Sequence, residues 1–306
     1  MSEIENAPVI SSDDVETFDS ESRFDVTTVS LLGNRESNPN WVQILLAWID
    51  PNQDVIPVDK IYPANKTTAE VRAESTAQME ISQQDAIAAA LVHLGYEVPR
   101  KLYINSVIAD APAAGKLVAG DFMVSAGGVA ILTFEELREQ VRKTQGEPIV
   151  IGVIRDGRAL EFEITPGLRD GDYFIGAMVG YTYEFPVDID LQLGDVGGPS
   201  GGLMFSLGIV DTLTDGSLAG PNHVSGTGTI TANGSVGPIG GIRLKMIAAK
   251  QSGADLFLIP AGNCSEAIDS IPQGLSAVVV RDLAGAILAV ENLERGIAPE
   301  PPSCNN

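Results

Sequence analysis

The segment GGPSGGLMFSLGIV, from Gly197 to Val210, decides how the second half of the chain folds. Its apolar residues recur at the three- and four-residue spacing of one helix face, so the segment predicts a helix that begins near Pro199. Ser200 then lies at a helix N-terminus, where free N–H groups favour negative charge. The flanking glycines leave room for an extended peptide and for the oxyanion of acyl transfer. A glycine-rich turn in which Ser200 is a simple N-cap is the alternative.

A serine nucleophile requires a general base, and the sequence offers three candidates. His93 falls on the flank of a helix predicted over residues 83–94 and is interpreted as structural. His223, in the loop GPNHVSG, remains open as a base. Lys245 lies on the apolar side of a predicted helix, where burial favours a neutral amine that can accept the serine proton. A lysine that extends its ammonium into solvent is the alternative.

The segments around the serine and the lysine resemble those of the Lon protease family. Gly198-Pro199-Ser200-Gly201-Gly202 is similar to the Gly-Pro-Ser-Ala-Gly of that family, and Pro238-Ile239-Gly240-Gly241 precedes Lys245 as a similar run precedes the family's lysine. The resemblance covers about Val187–Leu288, and residues 24–62 are expected to supply the first half of the same domain.

The Lon resemblance implies a role for each matching residue. Ser200 and Lys245 would form a catalytic dyad, Thr227 would contact the lysine, and backbone N–H groups near Gly198 and Ser200 would hold the oxyanion. The chain departs from the family in two places. Ser200 is followed by Gly-Gly, where the family has Ala-Gly. Gly197 occupies the position at which ATP-dependent members carry an acidic residue, and we do not assign the role of that residue to the nearby Asp195.

The segment between residues 97 and 167 resembles a bacterial PDZ domain. The resemblance rests on VIADAPAAGKLVAGDFMVSAGGVAI (Val107–Ile131) and IVIGVIRDG (Ile149–Gly157). It implies that C-terminal peptide ends bind by strand addition, in a groove between a strand near Leu102–Val107 and the helix Phe134–Gln145. A small half-barrel that only supports its neighbour is the alternative.

The remaining local patterns predict further elements. Runs rich in apolar residues predict strands over 24–32, 41–50 and 54–62, and Ser82 is a candidate N-cap for the helix over 83–94. Thr133 and Glu136 form a predicted capping box, and Asp156-Gly157 predicts a hairpin turn.

Charge and composition exclude several partners. The 306 residues include 41 acidic and 19 basic side chains, a net charge of −22, which argues against nucleic acid and anionic membrane surfaces as main partners. No G-x-x-x-x-G-K-[ST] motif of an ATP-driven motor occurs, and we expect neither cofactor nor metal. Cys264 and Cys304 form either one disulfide or two free thiols. A disulfide is a hypothesis, since it would anchor the proline-rich tail and is allowed if the protein lies outside the cytoplasm.

These observations predict an α/β (α+β) proteolytic domain of the Lon type with an inserted PDZ domain. The expected segments are a flexible acidic N-terminus, a first protease segment, the PDZ domain, a catalytic protease segment and a C-terminal tail, at residues 1–22, 23–96, 97–167, 168–296 and 297–306. The closest group by resemblance comprises the PDZ-containing Lon-like proteases that lack the ATPase module.

The predicted activity is that of an ATP-independent serine endopeptidase that cuts unfolded or flexible proteins, with a PDZ domain that recruits them. A non-enzymatic peptide-binding scaffold and a hydrolase with His223 as base are the alternatives. The resemblance further implies a homo-oligomer, often a hexamer, and a membrane tether outside the cytoplasm. The sequence itself reads as a soluble chain without a signal peptide or membrane span.

Overall fold

The computed structural model describes residues 9–63, 66–169, 171–192 and 197–304. The chain forms two compact units. One consists of Met1–Glu97 and Pro186–Asn306, and the other, Val98–Phe185, is inserted between these two segments. Each unit combines helices and strands, as the sequence predicts.

The helices are α1 (Trp41–Ile49), α2 (Val58–Ile61), α3 (Thr68–His93), α4 (Phe134–Lys143), α5 (Gly202–Thr212), α6 (Ile242–Gln251), α7 (Cys264–Ala267) and α8 (Leu283–Glu294). The strands are β1 (Ile10–Ser11), β2 (Arg23–Val26), β3 (Arg100–Val107), β4 (Phe122–Ala126), β5 (Val129–Ala130), β6 (Ile149–Arg155), β7 (Arg158–Ile164), β8 (Gly167–Arg169), β9 (Asp172–Phe174), β10 (Ala177–Tyr183), β11 (Asp190–Leu191), β12 (His223–Gly226), β13 (Thr229–Ile230), β14 (Val236–Gly237), β15 (Leu256–Pro260) and β16 (Ser276–Val280).

A parallel sheet with the strand order β16-β15-β12-β2 organises the first unit. The strands β12 and β15 are buried along their whole length, as is typical of parallel strands covered on both faces. Helix α5 contacts β2, β12, α3 and α8, and α6 contacts β12 and β15. Thr227 directly follows the carboxyl end of β12, the end at which open parallel sheets place their sites.

An antiparallel sheet with the order β10-β3-β4-β6-β7 organises the inserted unit. The predicted capping box of α4 is present, because Thr133 accepts from the Glu136 N–H and Glu136 accepts from the Thr133 N–H. The predicted Asp156-Gly157 turn joins β6 to β7 with both residues at positive φ. Leu137 and Val141 of α4 reach the core of this unit.

The peptide groove predicted beside residues 102–107 is wrong. Strand β10 pairs with β3 from Ala177 opposite Val107 to Tyr183 opposite Arg100, and β4 pairs with its other edge. Both edges of β3 are therefore occupied. The compact unit also ends at Phe185, whereas the predicted PDZ segment ended at residue 167, because β10 completes this sheet.

The first 60 residues differ most from their predictions. The predicted strand over 41–50 is the helix α1, which Asn40 and Gln43 cap with a capping box. The large apolar side chains of α1 are exposed, with Trp41 at 84% and Trp48 at 70%. The strand predicted over 54–62 is absent from these described residues, which contain α2, and the strand predicted over 24–32 is reduced to β2. A short apolar run has no distinctive period, so its sequence is equally consistent with a helix and with a strand.

Helix α3 begins fifteen residues before the predicted helix. Its N-cap is Thr67, whose side chain accepts from the Glu70 N–H, while Glu70 accepts from the Thr67 N–H. Ser82 therefore lies inside the helix and is not its N-cap. The N-terminal half of α3 is polar, so it carries no apolar stripe that would signal a helix.

A disulfide joins Cys264 of α7 to Cys304 in the tail, with 5.6 Å between the two Cα atoms. Of the two alternatives that the sequence leaves open, the structure has the disulfide. Among the described residues, no helix is both long enough and apolar enough to span a membrane.

Candidate active site

Ser200 lies in the turn that leads into α5, which begins at Gly202 and not at Pro199 as predicted. Gly198 has φ +82°, a left-handed conformation that a side chain would strain. Gly197 packs against α3 so closely that a Cβ atom there would overlap the Ser75 hydroxyl. The glycines before Ser200 are thus required by backbone conformation and by contact with α3.

Lys245 reaches Ser200 from the buried side of α6. Its Nζ lies 2.8 Å from Ser200 Oγ and 2.9 Å from Thr227 Oγ1, and the residue is only 3% exposed. Burial lowers the pKa of Lys245 to about 8, because the interior disfavours the charged ammonium. A substantial fraction of the amine is therefore neutral at mildly alkaline pH.

Thr227 connects the amine to the backbone of the serine. Its Oγ1 receives the hydrogen bond from Lys245 Nζ and donates to the carbonyl oxygen of Ser200 at 2.9 Å. The N–H of Gly228 donates to the same carbonyl oxygen at 2.8 Å. Thr227 is fully buried and holds both the lysine and the serine in place.

The predicted role of Gly198 does not fit this geometry. Its N–H donates to the carbonyl oxygen of Ser75 in α3 at 2.9 Å, so it is engaged and cannot hold an oxyanion in this conformation. Ser200 N–H, at the entrance to α5, is the remaining donor that the sequence proposed. Asp195 lies outside the described residues.

Helix α3 supplies a contact that the sequence did not reveal. Ser82 Oγ donates to the carbonyl oxygen of Pro199 at 3.1 Å, and Ser82 is 4% exposed. The two residues are 117 positions apart, so no local signal could have linked them. From the sequence, Ser82 is predicted only to cap a helix.

The histidines do not reach the serine. His93 is exposed near the end of α3. His223 Nε2 lies 2.8 Å from Asp25 Oδ2, and His223 begins β12, four positions before Thr227. In an extended chain, four positions separate Cα atoms by about 13 Å, so His223 is far from Thr227. It therefore cannot take the place of Lys245, which contacts Thr227 and Ser200.

Two family models match separate stretches of the chain. The model of the Lon protease (S16) C-terminal proteolytic domain matches residues 187–291, and a PDZ domain model matches residues 54–165. The chain carries a Lon-type proteolytic domain and a PDZ domain. Ser200, Thr227 and Lys245 all lie within the Lon-type match.

Curated relatives are Lon proteases that match at modest identity. Lon protease 2 of Bacillus subtilis (strain 168) is 27% identical over 190 residues, which are 60% of this chain and 32% of that protein. Lon protease of Clostridioides difficile (strain 630) is 28% identical over 171 residues, 52% of this chain and 20% of that protein. The chain spans about a third or less of the length of these relatives.

Solved PDZ domains are also similar to part of the chain. The PDZ domain of an SdrC-like protein from Listeria monocytogenes is 25% identical, covers 26% of this chain and 85% of that domain, and has a TM-score of 0.24. The corresponding domain from Listeria innocua is 26% identical, covers 26% of this chain and 92% of that domain, and has a TM-score of 0.25.

Proposed function

We propose that this chain is a serine endopeptidase in which Ser200 is the nucleophile and Lys245 the general base. The observation that carries the proposal is the 2.8 Å contact between Lys245 Nζ and Ser200 Oγ, made by a buried amine whose pKa is lowered to about 8. Burial is the sole cause of that lower pKa, and no charged partner offsets it within the described chain. An amine of this kind can exchange a proton with a serine hydroxyl near neutral pH.

In each half of the proposed reaction, Lys245 accepts one proton and then donates it. Neutral Lys245 accepts the Ser200 hydroxyl proton as Oγ attacks the peptide carbonyl carbon, and the carbonyl oxygen becomes an oxyanion. The resulting ammonium then donates that proton to the leaving amine, and an acyl-enzyme forms. Water then attacks the acyl carbon while the same amine accepts its proton, the ester bond to Ser200 Oγ breaks, and the ammonium returns the proton to Oγ.

The oxyanion would bind at the N-terminus of α5. Ser200 N–H is the donor we assign there, since the N–H of Gly198 is engaged with Ser75. The partial positive charge at the N-terminus of α5 adds a favourable field for the negative oxygen. Thr227 contributes indirectly, because it positions both the amine and the serine backbone.

The proposed substrates are unfolded or flexible proteins, and cleavage would require no ATP. The 306 residues contain no phosphate-binding motif of a motor, so the chain itself offers no means to unfold a stable protein. A homo-oligomer and a membrane tether are further proposals that rest on the resemblance alone.

We propose that the PDZ domain recruits substrates through strand addition at β10. Strand addition requires a free edge, and β10 is a terminal strand of its sheet. The Phe134 N–H, at the start of α4, donates to Tyr181 Oη of β10 at 2.9 Å, so helix and strand lie side by side. A C-terminal peptide would pair with β10 and place its apolar end beside α4.

Digestion of casein by the wild-type chain and by Ser200→Ala is the decisive test. We expect fragments from the wild type and none from the variant, and labelling of the wild type alone by an active-site phosphonate. His223→Ala should digest casein at the wild-type rate. A wild type that binds peptides but neither cleaves casein nor reacts with the phosphonate would be the non-enzymatic scaffold.

Replacement of Val98–Phe185 by a short Gly/Ser linker tests recruitment. In a variant shown to remain folded, cleavage of casein should fall while cleavage of a short peptide persists. Equal losses on both substrates would show that the PDZ domain shapes the catalytic site, and unchanged cleavage of both would refute recruitment.

A further inference from the structure

Helix α3 holds the two residues before Ser200 at two points of their backbone. Ser75 O accepts from the Gly198 N–H at 2.9 Å, and Ser82 Oγ donates to Pro199 O at 3.1 Å. Ser75 and Ser82 are seven positions apart, two turns along one face of the helix. The chemistry described above uses neither contact.

The contact at Pro199 fixes the direction of a neighbouring donor. In a trans peptide the C=O of one residue and the N–H of the next lie in one plane and point in opposite directions. A hydrogen bond that holds Pro199 O towards Ser82 therefore aims the Ser200 N–H away from α3. On the other side of the serine, Gly228 N–H and Thr227 Oγ1 hold the Ser200 carbonyl oxygen.

Close packing restrains the Ser82 hydroxyl in this position. A Cβ atom at Gly202 would lie 2.9 Å from Ser82 Oγ and 2.9 Å from Cγ2 of Ile230. The hydroxyl thus lies in a gap that exists because residue 202 has no side chain. Because Ser82 is buried, water has little access to its hydroxyl and does not compete with the Pro199 carbonyl oxygen for its hydrogen bond.

From these contacts we infer that Ser82 is a positioning residue of the proteolytic site, which aims the Ser200 N–H at the developing oxyanion through the Pro199 carbonyl. The inference rests on the proposed function. Ser82 touches neither the substrate nor the reacting atoms. Its effect is largest in the transition state, because the N–H bonds most strongly to an oxygen that carries negative charge.

Ser206 provides a matched control for Ser82. It is a fully buried serine in the same α3–α5 contact, where its Oγ donates to Ala86 O at 3.1 Å and to Gly202 O at 3.0 Å. Ser82→Ala and Ser206→Ala each remove one buried hydroxyl that bonds to a carbonyl across this contact. Only Ser82 is bonded to the peptide that carries the Ser200 N–H.

The two variants are compared on a short peptide substrate and with a peptide boronate, whose tetrahedral adduct places an oxygen at the oxyanion position. Removal of a whole oxyanion donor lowers kcat by about 10²- to 10³-fold, so its misalignment in Ser82→Ala should lower kcat about 10-fold. Boronate affinity should fall by a similar factor, while KM and the pH profile stay unchanged. Ser206→Ala should stay within about twofold of the wild type in all four measurements.

Ser82→Cys tests whether a weak donor of similar size restores part of kcat, and it serves in place of Ser82→Ala if the alanine variant does not fold. A kcat of Ser82→Ala equal to that of Ser206→Ala would overturn the inference alone, as would parallel changes in KM or in the pH profile. If Ser200→Ala cleaves the peptide as fast as the wild type, the proposed function fails and this inference fails with it.

Discussion

Asp121 in the inserted unit and Lys245 in the proteolytic unit are both buried, yet among the residues that the structure describes only Asp121 has a partner of opposite charge. Arg155 donates to both oxygens of the Asp121 carboxylate, at 2.6 and 2.7 Å, and the Val118 N–H donates at 3.0 Å. Lys245 instead contacts two hydroxyl groups, of Ser200 and Thr227. A buried charge with a full set of partners stabilises one conformation, whereas a buried amine without a counter-charge is poised to lose its proton.

The charged form of Asp121 stabilises the folded protein, whereas the charged form of Lys245 destabilises it, although the pKa of each group is lowered on folding. Burial acts to raise the pKa of Asp121, but the hydrogen bonds from Arg155 and Val118 outweigh it and lower the pKa. The stability that Asp121 contributes is thus present above its unfolded pKa and is lost as the pH falls. The pKa of Lys245 is about 8 when folded and about 10.5 when unfolded, so Lys245 lowers stability below pH 8, and this loss is recovered as the pH rises from 8 to 10.5.

The largest expected effect is the loss of activity in Lys245→Arg. A guanidinium stays charged at every working pH and cannot accept the Ser200 proton. We expect the rate of peptide cleavage to fall by about 10³-fold, within the range for a lost general base. Wild-type kcat/KM should rise with pH with an apparent pKa of about 8. An active Lys245→Arg variant would show that the amine is not the base.

Asp121→Asn should show the next largest effect, on stability. The amide NH₂ faces donors of Arg155 and Val118, so one charged acceptor is lost and a donor is set against a donor. We expect the free energy of unfolding to fall by about 2 kcal/mol in urea titrations at pH 7. Asp156→Asn, at an exposed turn position with φ 50° that asparagine tolerates, is the control and should change little. Equal values for the two variants would contradict a structural role for Asp121.

Lys245→Met should raise the free energy of unfolding, whereas Asp121→Asn lowers it. Removing the buried amine relieves the penalty on its charged form, and the two lost hydrogen bonds offset part of that gain. We expect the protein to be more stable by about 1 kcal/mol at pH 7, with no gain at pH 10, while proteolysis is abolished. Lys250→Met, on the exposed face of α6, is the control. A variant less stable than the wild type at pH 7 would mean that Lys245 is held for structure.

The smallest effect concerns α1, where apolar side chains face outward. Trp41 and Trp48 are the chain's two tryptophans, so tryptophan fluorescence, excited selectively over tyrosine, reports on α1 alone. We expect emission at long wavelength and strong quenching by acrylamide, unchanged in Asp121→Asn and Lys245→Met under native conditions. Protected emission at short wavelength would show that another surface covers α1.

Local signals explain where the sequence predicted structure well. The capping box of Thr133 and Glu136 and the turn at Asp156-Gly157 depend on residues a few positions apart, so their geometry follows from the chain nearby. Segment 41–50 has no such constraint, and an apolar run without a period suits a strand as well as a helix. The sequence predicts a strand there, and the structure has a helix whose apolar side chains are exposed.

In the candidate site, too, some contacts could be predicted from the sequence and others could not. Motif resemblance selected Ser200, Thr227 and Lys245, which the structure brings into contact. It also selected the Gly198 N–H, which turns towards Ser75. Two further contacts join segments that are far apart in the chain: Ser82 with Pro199, and β10 with β3. Neither contact produces a local sequence pattern from which it could be predicted.

The pairing of β10 with β3 has a consequence for the folding of the host domain. The Glu184 N–H donates to Pro99 O at 2.8 Å, so the chain enters and leaves the inserted unit at neighbouring points. While that unit is folded, the host closes a gap that a few residues could span. If it unfolds, the same gap is closed by a long flexible loop, at an entropic cost of about 2 to 3 kcal/mol. Connectivity alone thus makes the stability of the proteolytic domain depend on whether its insert is folded.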